Sequence, residues 1–310
     1  MTGAGGQIGS ELVAALRERY GEEAVLASDI RAPKGGMIDG GPFEIIDATD
    51  QHAVGRATIR HRADTIYHLA AILSAVGEKD PRLAYRVNMG TLHSVLEVAR
   101  DQSCAVFTPS SIGVFGPTTP SDPAPQDTIM RPTTMYGVTK VAAELLCEYY
   151  HMKYGVDARG VRYPGLISHG SPPGGGTTDW AVDIFYDAVQ EGRYMCFLGP
   201  DTQLDMMYMP DAINAAIEVM EADPARLVHR NAFNVTAMQL APATLAAEIR
   251  RHIPDFEIDY EVDPVRESIA RSWPHRIDDT AAHDEWDWSP QHDMASMTED
   301  MIKELSARQH

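Results

Sequence analysis

The sequence predicts an α/β protein in which helices cover a doubly wound parallel sheet. Three observations predict this fold class: short runs of apolar, β-branched residues, longer segments with helical periodicity between them, and a glycine-rich loop near the N-terminus. This alternation is typical of parallel sheets, because each crossover between parallel strands needs a dozen or more residues. The predicted strands cover residues 24–28, 43–46, 65–69, 105–108 and 158–163.

Helices are predicted from apolar residues that recur every three or four positions. Three such stripes are Ile8/Leu12/Val13/Leu16, Leu92/Val95/Leu96/Ala99 and Val138/Val141/Ala142/Leu145/Leu146/Tyr149. Beyond residue 164 the alternation breaks. A glycine- and proline-rich loop at 171–179 precedes predicted helices at 180–190, 211–221, 242–253 and 298–306 and predicted strands at 231–235 and 256–262. We therefore predict a dinucleotide-binding domain at 1–165 and a smaller, mainly substrate-binding lobe at 166–310, with possible crossovers of the chain between them.

The composition excludes several classes of partner. The chain has 310 residues, of which 44% are hydrophobic, and its 45 acidic and 26 basic side chains give a formal charge of -19. Such a charge repels phosphate backbones and anionic lipid, so neither nucleic acid nor a membrane is expected to bind. The N-terminal residues lack a signal peptide's apolar core, and three cysteines without CxxC spacing are typical of buried thiols in a reducing compartment. We expect a cytoplasmic protein.

The glycine-rich loop has the spacing of a dinucleotide site. Gly3, Gly6 and Gly9, with Gln7 and Ile8 between them, allow a tight turn, a close approach to a pyrophosphate and a helix N-terminus aimed at it. Asp29 follows the next predicted strand, 20 residues after Gly9, where a carboxylate accepts hydrogen bonds from ribose hydroxyls. The sequence therefore predicts a Rossmann-type NAD site.

Asp29 also favours NAD over NADP, because a carboxylate repels a 2′-phosphate. Ile30 and Arg31 are further candidates for this end of the cofactor, although Arg31 would also suit a 2′-phosphate. The alternative for Asp29 is a carboxylate that only caps the end of its strand.

Only Met1 and Thr2 precede the glycine loop. A Rossmann-type sheet needs a strand there, so we expect either residues upstream of Met1 or an unusually short central strand. We favour the former, because loss of a central strand exposes its neighbours.

A tyrosine and a lysine four residues apart suggest an acid–base site. Tyr136 and Lys140 share one face of a predicted helix, so the ammonium can lower the pKa of the phenol and hold a ribose. Ser111, 25 residues before Tyr136 at the end of a predicted strand, can bond the reacting oxygen. The alternative is a solvated helix face, which is less plausible beside a dinucleotide loop in the same chain.

Together these residues resemble the extended short-chain dehydrogenases/reductases, which include the nucleotide-sugar epimerases and dehydratases. The resemblance adds His68 and the segment 88–91 to the glycines, Asp29, Ser111, Tyr136 and Lys140. It implies that Asp47 and Ala48 lie by the adenine and that Leu69, Ala70, Ala71 and Asn88 support NAD. It also implies that Tyr163, Pro164 and Leu166 flank the nicotinamide, and that the protein is a homodimer formed through helices that include the one with Tyr136.

Within that family the chain looks most like the short-chain-type L-threonine 3-dehydrogenases. The matching segments are 73–81, 109–112, 162–168, 174–179, 206–211 and 272–274. Two segments depart from the sugar-nucleotide epimerases: 204–208 lacks the arginine that grips the nucleotide diphosphate, and Tyr163-Pro164-Gly165 lacks their asparagine. The resemblance implies NAD-dependent oxidation of L-threonine at the Cβ hydroxyl to L-2-amino-3-oxobutanoate.

A small amino acid substrate needs acceptors for its ammonium and donors for its carboxylate. By resemblance and residue type, Ser74, Thr177, Thr178 and Asp179 join Ser111 and Tyr136 as substrate contacts. The glycines at 174–176 are either a lid hinge or a mobile loop without substrate contact, and both can hold. The histidines form no HExxH motif, so no metal is expected. An NAD-retaining nucleotide-sugar epimerase or dehydratase, and a non-enzymatic NAD sensor, are the alternative functions.

Overall fold

The computed structural model describes residues 1–32, 40–170 and 176–308. The chain divides into two compact units, each made of several segments. The first comprises Met1–Val114, Pro132–Arg162 and Ile213–Phe233, and the second comprises Phe115–Arg131, Tyr163–Ala212 and Asn234–His310. The predicted division at residue 165 stays a prediction.

Helices and strands alternate along the first half of the chain, as the sequence predicts. The described helices are α1 (Gln7–Tyr20), α2 (Gln51–His61), α3 (Ser74–Lys79), α4 (Pro81–Gln102), α5 (Met135–Tyr154), α6 (Trp180–Gln190), α7 (Met209–Glu221), α8 (Pro242–Ile249), α9 (Pro264–Arg271), α10 (Thr280–Trp286) and α11 (Met294–Ala307). The described strands are β1 (Ala27–Asp29), β2 (Phe43–Ile45), β3 (Thr65–Tyr67), β4 (Ala105–Phe107), β5 (Ser110–Ser111), β6 (Ala158–Arg159), β7 (Val161–Tyr163), β8 (Gly165–Ile167), β9 (Arg193–Cys196), β10 (Leu204–Tyr208), β11 (Phe233–Asn234), β12 (Met238–Leu240) and β13 (Glu257–Tyr260).

A parallel sheet organises the first unit, which confirms the predicted fold class. Strand β2 pairs with β1, and β3 pairs with β4, which pairs with β6. Thr2 makes parallel bridges to Ser28 beside it and to His68 on its other side, so a single residue holds the central position of the sheet. The Met1 ammonium donates to the Leu26 carbonyl at 2.6 Å. The strands β5, β7 and β11 form a further ladder.

Sequence signals fix the ends of the helices around this sheet. Asp80 accepts a hydrogen bond from Leu83 N and precedes Pro81, which suits the first turn of α4. Thr134 caps α5 in the same way by accepting from Gly137 N at 3.1 Å. The predicted apolar stripe of α4 is buried in the core of this unit.

The predicted helix α5 forms, and its apolar stripe is only partly buried. Val138, Leu145 and Tyr149 are exposed, whereas the buried face carries Thr139, Glu144, Cys147 and Tyr150. Periodicity could not separate the two faces, because a polar face can be buried when each of its groups has a partner.

The second unit has its own sheets and its own core. In one sheet β10 lies between β8, which is parallel to it, and β12, which is antiparallel; β9 pairs in parallel with β13. Helix α6 begins and ends where the sequence predicts. Its buried face packs on β9 residues and on α8 and α11, in a core that includes Trp180 and Phe185.

Other boundaries differ from the prediction. The first predicted strand begins late, because residues Glu22–Ala24 form a 3-10 turn. Helix α8 ends at Ile249, four residues early, and β8, β9, β10 and β12 are not among the predicted strands. Strand β10 is buried at every position, so its sequence lacks the apolar–polar alternation that marks a half-buried strand.

None of the described helices is long and apolar enough to cross a membrane. The cytoplasmic location stays a prediction.

Candidate active site

The glycine loop connects the centre of the sheet to helix α1. Gly3 has a φ of +73°, and a Cβ at this position would stand 2.6 Å from Ala70 N and 2.7 Å from Leu69 C. A Cβ at Gly9 would stand 2.3 Å from Gly3 O. Both positions therefore need glycine so that the loop can lie against the end of β3 and turn directly into α1.

The start of α1 is suited to bind an anion. Gly6 is the residue before the helix, and among the described residues no side chain caps its first turn. The first N–H groups of α1, which include those of Gln7 and Ile8, thus remain available to a phosphate.

Asp29 lies beside this loop at the end of β1. One carboxylate oxygen, Oδ2, accepts from Gly5 N at 3.0 Å, and Oδ1 lies 3.4 Å from Arg31 N. The carboxylate therefore braces the loop, as the capping alternative expected, and it is also placed at the loop where a ribose acceptor belongs. Ile30, the next residue, is exposed.

The other predicted cofactor residues of the first unit follow the ends of β2 and β3. Exposed Asp47 accepts from Thr49 N at 2.9 Å, and Ala48 beside it is buried. Leu69 N donates to Thr2 O at 3.0 Å, and the Thr91 hydroxyl donates to Ala70 O at 3.2 Å. These segments come together at the carboxyl edge of the sheet, where ligands bind in open α/β folds.

Asn88 supports this edge through the backbone. Its side-chain oxygen accepts from Ile72 N at 2.7 Å and its amide donates to Ile72 O at 3.1 Å and to the Thr139 hydroxyl at 3.1 Å. The amide thus ties the segment after Ala71 to the helix that carries Tyr136. Ser74, the first residue of α3, lies two residues after Ile72 and is half-buried.

Tyr136, Lys140 and Ser111 lie together at the first turns of α5. A Cβ on Gly113 would stand 3.3 Å from the Tyr136 ring, and a Cβ on Gly137 would stand 2.2 Å from Gly113 O, so two glycines allow α5 to approach the segment after β5. The Lys140 ammonium lies 5.6 Å from the centre of the Tyr136 ring and donates to Pro109 O at 2.6 Å.

The electrostatics of this group differ in part from the sequence-based expectation. Burial raises the pKa of Tyr136, and a hydrogen bond with Ser111 opposes the rise. The predicted lowering of that pKa by Lys140 is not the dominant effect, because the ammonium is bonded to a carbonyl and not to the phenol. Burial also lowers the pKa of Lys140 to about 8, against the attraction of Glu144.

His68, the residue after β3, is buried. Its Nδ1 is 2.8 Å from the Thr2 hydroxyl. Burial and the Lys140 charge lower its pKa to about 3, so this imidazole is neutral at physiological pH.

Sequence reasoning missed the ion pair behind Lys140. Glu144 and Arg162 are both buried and form two hydrogen bonds, and the Ser110 hydroxyl donates to the same carboxylate. The available signal was a charged residue within an apolar segment, one helical turn after Lys140, together with an arginine within an apolar strand. Glu78, whose carboxylate accepts from Met135 N at 2.7 Å at the start of α5, was missed as well.

The remaining predicted residues belong to the second unit. The Tyr163 hydroxyl donates to Ala212 O at 2.6 Å, so this group is engaged inside the unit; Pro164 and Leu166 follow in the chain. Thr177, Thr178 and Asp179 form the turn before α6, where Asp179 accepts from Gly176 N at 2.6 Å and Thr177 is buried. Gly174 and Gly175, the rest of the predicted hinge, lie outside the described residues.

No group of described histidine, cysteine, aspartate or glutamate residues has the arrangement of a metal site.

Comparisons with known proteins show which family the chain belongs to. The model of the NAD dependent epimerase/dehydratase family matches residues 1–236. The chain belongs to this family.

Proteins with similar sequences or structures match nearly the whole chain. A relative from Staphylococcus haemolyticus, called an uncharacterized epimerase/dehydratase, is 53% identical over all 310 residues and 98% of its own length. The structure of an L-threonine dehydrogenase from Clostridium difficile is 51% identical, has a TM-score of 0.97 and covers 99% of this chain and 97% of its own. The structure of a monomeric L-threonine 3-dehydrogenase from a metagenome database is 43% identical and has a TM-score of 0.95. The match covers 100% of this chain and 99% of that one.

Membership of the epimerase/dehydratase family makes NAD the cofactor. The described residues fit it: the uncapped start of α1 suits the pyrophosphate, the glycine loop allows a close approach, and Asp29 supplies an acceptor for ribose hydroxyls. The protein is therefore an enzyme of the NAD-dependent epimerase/dehydratase family, with a small-molecule substrate.

Proposed function

We propose that this enzyme oxidises L-threonine at the Cβ hydroxyl to L-2-amino-3-oxobutanoate, with NAD as the hydride acceptor. The observation that carries the proposal is the likeness to an L-threonine dehydrogenase over 99% of the chain, at 51% identity. The group of Ser111, Tyr136 and Lys140 supports the same chemistry, because alcohol oxidation needs a base for the hydroxyl proton.

Each of the three residues has one role. The Tyr136 phenolate takes the proton from the substrate hydroxyl, and Ser111 hydrogen-bonds the same oxygen. Lys140 holds the nicotinamide ribose and favours the ionised phenol through its charge. NAD supplies the hydride chemistry when it is bound.

We propose the same cofactor contacts that the sequence predicts. The pyrophosphate is held by Gly3, Gly6, Gln7, Ile8 and Gly9. The adenosine ribose is held by Asp29, Ile30 and Arg31, and the adenine lies by Asp47 and Ala48. Leu69 to Ala71 and Asn88 support the middle of the cofactor, and Tyr163, Pro164 and Leu166 flank the nicotinamide. For Tyr163 the contact comes from the ring, since its hydroxyl is bonded to Ala212 O.

We assign recognition of the amino acid to Ser74, Thr177, Thr178 and Asp179. A carboxylate is the natural acceptor for the substrate ammonium, and hydroxyls donate to the substrate carboxylate. Asp179 lies at the turn before α6, where its carboxylate accepts from Gly176 N at 2.6 Å.

The alternative is an NAD-retaining nucleotide-sugar epimerase or dehydratase, which the name of the Staphylococcus haemolyticus relative favours. Strand β10, the segment that carries the diphosphate-binding arginine in the sugar-nucleotide epimerases, argues against it. Every residue of β10 is buried, and the strand contains neither arginine nor lysine. This segment therefore offers a nucleotide diphosphate no attraction.

The two functions differ in net NADH production. Purified protein is mixed with NAD and L-threonine, and absorbance is followed at the NADH band, with UDP-glucose and 3-hydroxybutyrate in parallel reactions. NADH is expected with L-threonine only. NAD that co-purifies with the protein, with no NADH from any substrate, would instead support the epimerase class.

We further propose that the enzyme is a homodimer through the outer face of α5. This face carries Val138, Leu145, Tyr149 and Met152, of which Leu145 is 64% and Met152 70% exposed. A second copy is the fitting partner, because a patch repeated on two α5 helices about a twofold axis is self-complementary. The monomeric 43%-identical relative makes this a real test.

The oligomeric state is measured by light scattering after size-exclusion chromatography. The wild type is expected to elute as a dimer and Leu145→Glu as a monomer. Val265→Glu, at a residue 67% exposed on α9 of the second unit, serves as the control and is expected to stay dimeric. A monomeric wild type would refute the dimer and leave the proposed reaction standing.

A further inference from the structure

The buried pair Glu144–Arg162 lies directly behind the candidate acid–base group. Arg162 Nε donates to Glu144 Oε1 at 3.1 Å and Arg162 Nη2 donates to Oε2 at 2.9 Å. Both side chains are only 7% exposed. Glu144 lies on α5, one helical turn after Lys140 and two after Tyr136, so the three residues share one face of the helix.

The same carboxylate also holds strand β5. The Ser110 hydroxyl donates to Glu144 Oε1, and Ser110 is the neighbour of Ser111. Pro109, the residue before Ser110, has the carbonyl that accepts the hydrogen bond from Lys140. One carboxylate thus fixes the short segment that contacts both Lys140 and Tyr136.

Stability alone is a weak reason for such a pair. The free energy needed to remove two charges from water is about as large as the free energy gained from their attraction. Apolar residues of similar volume often stabilise a core equally well. A buried carboxylate with three hydrogen bonds does, however, hold its partners in one geometry.

We propose that Glu144 is a positioning residue of the active site: through Ser110 and Arg162 it fixes the segment Pro109–Ser111 against α5, and its charge keeps the Lys140 ammonium protonated. The proposal rests on the role given to Lys140 above and does not depend on which alcohol is the substrate.

The charge effect follows from the groups that face Lys140. On its own helix these are Tyr136, Glu144 and the Cys147 thiol; from the segment after β3 comes neutral His68. Arg162, on the strand beside α5, adds a second cation that Glu144 neutralises. Without the carboxylate two cations would share a site with little water, and the pKa of Lys140 would fall below its present value of about 8.

The experiment follows Lys140 directly. The chain has only five lysines, so a protein labelled with ¹³C at lysine Cε gives few NMR signals, and Lys140→Met assigns the one of interest. We expect Glu144→Gln to lower the titration midpoint of Lys140 by about one pH unit. Glu148→Gln removes the same charge from an exposed position of α5 and is expected to leave the midpoint unchanged. Equal midpoints in all three proteins would overturn the charge effect.

Ser110→Ala separates geometry from charge, since it keeps the ion pair and removes only the bond to β5. We expect a wild-type Lys140 midpoint and a kcat about tenfold lower. A wild-type kcat would overturn the positioning role.

A double variant covers the case in which Glu144→Gln does not fold. In Glu144→Gln/Arg162→Gln the two lost charges cancel, so the Lys140 midpoint is expected near that of the wild type. A midpoint about one pH unit lower in this variant would contradict the argument. If the wild type forms no NADH from L-threonine, the proposed substrate is wrong, and the titration still decides the role of Glu144.

Discussion

The glycine loop at residues 3–9 and the group of Ser111, Tyr136 and Lys140 lie in the same unit. The loop depends on backbone groups, whereas the other group depends on side chains. The loop uses backbone: glycines that permit contact with Leu69 and Ala70, and N–H groups of α1 that no described side chain caps. The proposed catalytic group uses side chains: burial raises the pKa of Tyr136, and it lowers that of Lys140 against the attraction of Glu144. Substitutions should therefore affect the loop through steric exclusion and the catalytic group through protonation.

The largest effect is expected at the catalytic group. Tyr136→Phe should lower kcat about a thousandfold, because the general base is lost, while NAD affinity stays within about twofold. Turnover is measured by NADH formation and NAD binding by calorimetry. Tyr85→Phe, at an exposed position of α4, is the control. Lost NAD affinity with normal turnover per bound cofactor would refute the role of Tyr136.

A backbone effect of nearly the same size is expected in the loop. Gly3→Ala forces a Cβ against the backbone of Leu69 and Ala70 and should lower the free energy of unfolding by roughly 3 kcal/mol, with loss of NAD binding. Gly155 has nearly the same φ, +72° against +73°, but open space around it. Gly155→Ala should therefore cost only about 1 kcal/mol and leave NAD binding intact. The free energy of unfolding is measured with denaturant. If Gly3→Ala and Gly155→Ala lose the same amount, the cost comes from the positive φ alone and not from the contact with Leu69 and Ala70.

Between the two regions, His68 links stability to pH. Its pKa is lowered from 6.5 to about 3 in the folded protein, so below pH 6.5 the unfolded chain takes up a proton that the folded chain does not. Stability is then lost as pH falls from about 6.5 towards 3, by at most about 1.4 kcal/mol for each pH unit. Urea unfolding between pH 5 and 7 measures this slope. His68→Gln should reduce it, and an unchanged slope would assign the acid sensitivity to other groups.

The smallest effect is expected at Asp29. Asp29→Ala should weaken NAD binding about tenfold, because the ribose hydroxyls lose an acceptor. NADP binding should weaken much less, because the substitution also removes the repulsion between the carboxylate and the 2′-phosphate. Asp29→Asn keeps an acceptor for Gly5 N and separates bracing of the loop from recognition of the ribose. Equal weakening of NAD and NADP binding by Asp29→Ala would rule out selection by the 2′-hydroxyl.

The same contrast explains what could be predicted from the sequence. The glycine spacing, Asp29 and the Tyr136/Lys140 interval are local, and they predicted the loop, α1 and α5. The bond from Lys140 to Pro109 O and the pair of Glu144 with Arg162 join residues 18 or more positions apart, as the register of strands and helices decides. The buried face of α5 could not be identified from the apolar stripe for a related reason: its polar groups are satisfied by partners that periodicity does not reveal.

The single bridge of Thr2 has a practical consequence for anyone who makes this protein. Thr2 N donates to Tyr67 O at 2.9 Å and Thr2 O accepts from Leu69 N at 3.0 Å, so the bonds to the β3 side of the sheet depend on one residue. Variants of the glycine loop should therefore keep a residue with a backbone N–H at this position, because Thr2→Pro would remove the donor to Tyr67 O at the centre of the sheet.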